Sequence, residues 1–236
     1  MAVVKISIFQ KNQHKRITKE EMAKIAQTKA QFLLLPEGYP HFFHSESSEK
    51  AIAHEKEYQD HLLEISETFS GVILGGTHYR KAEDGNLKSS LPILQSLVLV
   101  DFYDKKSPNP KSEPSVHPGK TESIFIMGGL RFGLLVGEDI ENQSIWDEFK
   151  KEDIEIVFFL SGEENKRSYE EDLIYFEALA KEKNIHLIRV CGPKENHPAR
   201  SLYASPSGIN WKVGKTEEDK DVLKTLSVTV RKSYLL

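Results

Sequence analysis

The chain has 236 residues, with 32 Lys and Arg against 36 Asp and Glu (net charge −4), 39% hydrophobic and 29% charged residues. That length suits one domain with a sizeable core, the composition excludes a disordered chain, and the slight acidity argues against a nucleic-acid partner. No apolar run nears the roughly 18 residues of a membrane span, the N-terminus lacks a signal-peptide layout, and the lone Cys191 excludes an internal disulfide or Cys-based zinc cluster, so a cytoplasmic protein without a membrane partner is expected.

Val3 to Phe9 alternates apolar and polar residues and reads as a strand. Thr18 is placed to cap a helix, with Glu21 completing a capping box and Ile17 and Met22 a hydrophobic staple. Gln31 to Leu35 is a buried strand stopped by Pro36-Glu37-Gly38. Ile52, Tyr58, Leu62, Ile65 and Phe69 recur at near-helical spacing and predict a long amphipathic helix, followed by a strand from Val72 to Leu74.

Leu94 to Phe102, Ser123 to Met127 and Gly133 to Val136 read as short strands joined by loops. Parallel neighbours need a crossover of a dozen or so residues, so this stretch is no simple strand–helix alternation. Beyond Asp139 the alternation resumes: a helix over Ser144 to Lys151, a strand over Ile154 to Leu160, a helix over Tyr169 to Lys183 and a strand over His186 to Cys191. Ser201 to Ala204 and Ile209 to Val213 flank the turn signal Pro206-Ser207-Gly208, and Leu226 to Val230 is a last strand. Helices beside mixed strands predict a layered α/β sandwich in one domain, residues 1–236. The Pro-, Ser- and Lys-rich stretch Lys105 to Lys120 is a long loop of the kind that is often functional.

Several residues could carry chemistry. Glu37 stands at the C-terminal end of an apolar strand, where open α/β sheets bind ligands, and burial there would raise its pKa as a general base needs. The alternative reading is an acidic turn residue. Lys105 follows another strand and is either solvated or functional; Glu113 lies in the loop beyond it. Cys191, at a strand end, reads as a small apolar core residue ahead of a nucleophile. His41 and His44 bracket Phe42-Phe43; the i, i+3 pair is a weak metal signal, and packing or a pocket wall is favoured. Gly128 to Gly133 has the wrong glycine spacing for a dinucleotide loop and reads as a turn. No Gly-x-Ser-x-Gly elbow and no phosphate-cradling loop occurs, and no cofactor or metal is expected.

In order, these pieces resemble the nitrilase, or carbon–nitrogen hydrolase, superfamily over nearly the whole chain. The opening strand ends in Gln10; Pro36-Glu37 follows an apolar strand; Tyr103-Asp104-Lys105 follows another, with Lys105 68 residues beyond Glu37. Glu113 precedes Pro118-Gly119, and Ser201 precedes Pro206-Ser207-Gly208. The family's central Gly-x-x-x-Cys-x-Asp aligns with Gly133-Leu134-Leu135-Val136-Gly137-Glu138-Asp139. Gly137 thus replaces the nucleophilic cysteine, Glu138 replaces the usual aromatic, and Cys191 lies 54 residues further on.

The resemblance implies an α-β-β-α four-layer sandwich, pairing into a homodimer, with Glu37 as base, Lys105 as electrophile and Glu113 as supporting acid. It implies a pocket that includes Tyr39, His41, Gly137 and Glu138. Loss of a nucleophile typically lowers rate on the order of 10⁶-fold, so thiol chemistry is not expected. The missing thiol is expected to leave space beside Glu37 and Lys105 for a water or ligand group. Three roles follow: a pseudoenzyme binding a small amide, carboxylate or amine; a thiol-independent C–N hydrolase in which Glu37 or Glu138 activates water; or an assembly protein with a vestigial site.

Overall fold

The computed structural model describes residues 2–41, 48–162, 167–194 and 197–231. The strands are β1 (Ala2–Gln10), β2 (Phe32–Leu34), β3 (Val72–Leu74), β4 (His78–Lys81), β5 (Leu87–Gln95) and β6 (Val98–Asp104), then β7 (Ile124–Met127), β8 (Leu130–Val136), β9 (Ile156–Ser161), β10 (His186–Cys191), β11 (Leu202–Ser205), β12 (Gly208–Lys212) and β13 (Val222–Val230). The helices are α1 (Lys19–Gln27), α2 (Ser48–Ala51), α3 (Glu55–Thr68), α4 (Gln143–Lys151) and α5 (Tyr169–Lys183).

The strands form two mixed sheets. One runs β13-β1-β2-β3-β5-β4, with β6 also paired to β5; the other runs β12-β11-β10-β9-β8-β7. Side chains alternate along each strand. In β2, Phe32 and Leu34 face the second sheet's Phe132 and Phe158, while Leu33 packs with Met22, Ile25, Leu62 and Ile65 of α1 and α3. In β9, Ile156 and Phe158 face the first sheet, while Val157 and Phe159 pack under Trp146, Phe149 and Phe176 of α4 and α5. Hydrophobic burial on both faces of both sheets therefore makes four layers, α-β-β-α.

Local signals hold where they are physical. The Thr18–Glu21 capping box forms, and Ile17 and Met22 share the core below α1. Tyr169–Lys183 and His186–Cys191 take the expected boundaries. The predicted long helix begins with a short 3-10 turn, Ile52–His54, before α3.

The expected single strand Leu94 to Phe102 is corrected. It is the hairpin of β5 and β6, turning at Ser96 and Leu97 with Gln95 paired to Val98. Both turn residues have positive φ, 52° and 67°, as a two-residue primed turn requires. Neither is the Gly, Asn or Asp that usually marks such a turn. The neighbouring hairpin turn, between β7 and β8, uses Gly128 and Gly129 with φ of 54° and 74°. β4 carried no sequence signal; it lies at the sheet edge against β5.

The loop from Lys105 to Lys120 is tied down at both ends. Lys105 N donates to Ser89 O and Gly119 N to Lys105 O, each within 3 Å. Among the described residues, no helix is long and apolar enough to cross a membrane.

Candidate functional site

Three strand ends converge. Glu37 follows β2, Lys105 follows β6 and Gly137 follows β8. Their C-terminal edges meet at a cavity of about 550 Å³, whose floor includes Glu37, Lys105, Glu113 and Glu138.

Lys105 is the hub. Its ammonium lies 2.9 Å from Glu37 Oε1, 2.9 Å from Glu113 Oε2 and 2.5 Å from Glu138 Oε2. Each acid has further support. Glu37 Oε2 accepts from Gly162 N at 2.8 Å, and Gln13 Nε2 donates to the Glu37 backbone oxygen. Glu113 Oε2 accepts from Asn109 N at 3.0 Å, and Tyr79 OH donates to Glu113 Oε1 at 3.4 Å.

Burial raises the Glu37 carboxyl above its ordinary value; Lys105 pulls it back, while Glu113 and Glu138 add to the rise. Burial works to lower the Lys105 ammonium, but the three carboxylates together hold it above its ordinary value. Lys105 is therefore a fixed cation, and Glu37 holds a proton more readily than an ordinary glutamate.

Gly137 is buried against Glu37 and Lys105 and does not itself line the cavity. Its φ is +52°, in the left-handed region that glycine enters without a Cβ penalty. A Cβ there would stand 2.7 Å from Glu37 Oε1 and 2.7 Å from Lys105 Nζ. The expected open space beside Glu37 and Lys105 is thus corrected: the carboxylate and ammonium have closed over Gly137. Two residues on, Asp139 is fully buried; it accepts from Tyr103 OH at 2.7 Å, Ser107 N at 2.7 Å and Val136 N at 3.3 Å. It thereby ties the turn after β8 to the end of β6 and the loop beyond.

His41 lines the cavity, as does Glu138. Tyr39 does not. Its side chain is fully buried in the core beneath α1 and α3, with its hydroxyl 2.8 Å from His61 Nε2 and accepting from Ile17 N. Its place in the expected pocket is corrected: the ring points into the helix-facing layer. His44 lies outside the described residues. Among those described, no cluster of three or more His, Cys, Asp and Glu is arranged to hold a metal. Cys191 is buried, its thiol pushed up by burial, and it lines no part of the cavity.

Sequence reasoning missed Gln13, His78, Tyr79 and Gly162. His78, at the start of β4, also lines the cavity, and burial lowers its imidazole to about 3, with Arg80 adding to the shift. Gly162 carried one usable signal: it directly follows β9 at the same sheet edge as Gly137. The others depend on long-range contacts or on the unsignalled β4.

No protein-family model matches the sequence, and no curated protein matches it. Solved structures do match in fold. A glutamine-dependent NAD+ synthetase from Acinetobacter baumannii superposes with a TM-score of 0.78 at 16% identity, covering 97% of this chain and 46% of the synthetase. This chain thus spans less than half of that enzyme's length. A carbon–nitrogen hydrolase from Helicobacter pylori gives 0.75 at 14% identity, covering 97% and 90%. Nit3 of Saccharomyces cerevisiae, from branch 10 of the nitrilase superfamily, gives 0.72 at 12% identity, covering 95% and 89%. The chain has the nitrilase-type sandwich fold.

Proposed function

We propose that this chain is a nitrilase-fold binding protein that holds a small ligand at the Glu37–Lys105–Glu113–Glu138 floor and does not hydrolyse it through a thiol. One observation carries the reading: where the resemblance places the nucleophile stands Gly137, and the volume of a side chain there is already taken by Glu37 and Lys105. In the family's chemistry a thiolate attacks the carbon of an amide or nitrile. Here no such sulfur is at hand, since the only cysteine is the buried Cys191 outside the cavity. Glu37, Glu113 and Lys105 are the family-equivalent base, supporting acid and cation; their role here is to position the ligand. Cytoplasmic location and a homodimer belong to the same proposal.

A second reading is favoured by one feature, the raised pKa of Glu37 beside a permanent cation. Glu37 would take a proton from water, the oxygen would attack the carbon of a C–N bond, and Lys105 would stabilise the oxyanion. The proton would pass to the departing nitrogen.

Ammonia release from a panel of amides, ureas and nitriles separates the two. The binder reading expects no turnover by the wild-type chain. Turnover that disappears in Glu37→Gln would replace it with the second reading. Gly137→Cys tests the lost nucleophile: activity confined to that variant would show a site deficient only in its sulfur.

A further inference from the structure

The floor of the cavity is unbalanced in charge. Three carboxylates meet a single ammonium, that of Lys105. They are not equally buried. The side chains of Glu37 and Glu113 are 10% and 8% exposed, whereas that of Glu138 is 22% exposed and fronts the cavity. If Glu138 turned to a ligand, Lys105 would keep two carboxylates at 2.9 Å. Glu138, paired to Lys105 through Oε2 but the most exposed of the three, is therefore the acid an incoming group meets first.

The wall has matching features. Tyr58 and His41 line it with their rings edge to face at 6.0 Å. Aromatic faces attract organic cations. His78 lines the same cavity 4% exposed, and neither ring nitrogen has a hydrogen-bond partner among the described residues. A buried polar group of that kind is satisfied by a ligand or a water. Its neutral ring offers one acceptor nitrogen and one N–H. Besides Lys105, the cations lining the cavity among the described residues, Lys111 and Lys194, lie in solvent-reached positions, exposed and half-buried, where screening weakens them.

We infer that the cavity takes a small organic cation, a primary ammonium or guanidinium compound, with its charged nitrogen on Glu138, its apolar part against Tyr58 and His41, and His78 meeting a polar group. The inference rests on the binding reading and narrows its ligand class: amines are favoured and carboxylates are disfavoured.

Titration calorimetry with four short-chain probes tests it: butylammonium, butylguanidinium, butyramide and butyrate. The two cations are expected to bind the wild-type chain best and butyrate worst. Glu138→Gln is expected to weaken cation binding roughly tenfold or more, with a circular-dichroism melt confirming that the variant is folded. Butyrate binding as tightly as butylammonium, no binding by either cation, or equal cation affinity in folded Glu138→Gln would overturn the inference. The wild-type ranking needs no variant. Ammonia release measured alongside keeps the two ideas apart: turnover of butyramide would defeat the binding reading, while the preference for cations would stand or fall on the affinities alone.

Discussion

Glu37 Oε1 and Lys105 Nζ stand 2.9 Å apart, and a Cβ projecting from residue 137 would meet each of them at 2.7 Å. The ion pair thus depends on a residue with no side chain. Gly137→Ala is expected to destabilise the fold by about 1–2 kcal/mol from the left-handed backbone alone, and by more as the pair is pushed apart. Urea unfolding measures it; an unchanged midpoint would contradict the close approach.

Lys105→Met should be the most damaging single change at the floor. It leaves three carboxylates with no cation among them, and breaking a buried ion pair typically costs about 3–5 kcal/mol. The loss should shrink as pH falls towards 4, because the acids can then take up protons. Thermal melts of variant and wild type at pH 7 and pH 5 give the comparison. An equal deficit at both pH values would mean that the side chain's bulk, not its charge, is what matters.

Glu37 sets a pH dependence of definite sign. Its folded pKa is raised above the ordinary 4.5, so the folded chain holds that proton more tightly than the unfolded chain. The stability this contributes is complete below 4.5 and is lost as pH rises through the folded value. Glu37→Gln cannot lose a proton. The stability of wild type relative to Glu37→Gln should therefore decline as pH rises from 4 to 7, by urea unfolding at each pH. A rising difference would reverse the assignment.

His78 acts in the opposite direction. Its folded pKa is about 3 against an ordinary 6.5, so between those values the unfolded chain binds the proton and the folded chain does not. Stability should fall by about 1.4 kcal/mol per pH unit as pH drops from 6.5 towards 3. His78→Leu should remove that slope whatever it does to stability at pH 7. A variant with the wild-type slope would show that the imidazole is protonated in the fold.

Much of this was legible in the sequence, for physical reasons. Helix caps and strand alternation act locally, so α1, α5 and β10 emerge with close boundaries. Glu37, Lys105, Glu113 and Gly137 were visible because each follows a strand end or closes a motif: Glu37 and Lys105 follow strands of one sheet, and Gly137 follows a strand of the sheet packed against it. Tyr39 was misplaced because its proximity in sequence to Glu37 says nothing about the direction of its ring. The Ser96–Leu97 turn was hidden because its conformation is imposed by pairing of β5 with β6, against the residues' own preference. Gln13, His78 and Gly162 reach the site only through tertiary contacts. The packing of Glu37 and Lys105 against Gly137 is likewise a side-chain arrangement that no spacing records.

The pairing of β1 with β13 has a consequence for how the protein is made. Ala2 pairs with Val230 and Gln10 with Val222, antiparallel and without a break. β1 therefore waits, once made, for a partner strand synthesised more than two hundred residues later. At about 5–20 residues per second, that is roughly 10–40 s during which one edge of β1 lacks its native neighbour. Its alternating Val4, Ile6 and Ile8 face the inter-sheet core, so nascent chains carry an unfinished, sticky edge until β13 is made. Ribosome stalling just before Val222 should accordingly trap a species that chaperones recognise, whereas emergence of Val222 to Val230 closes the sheet.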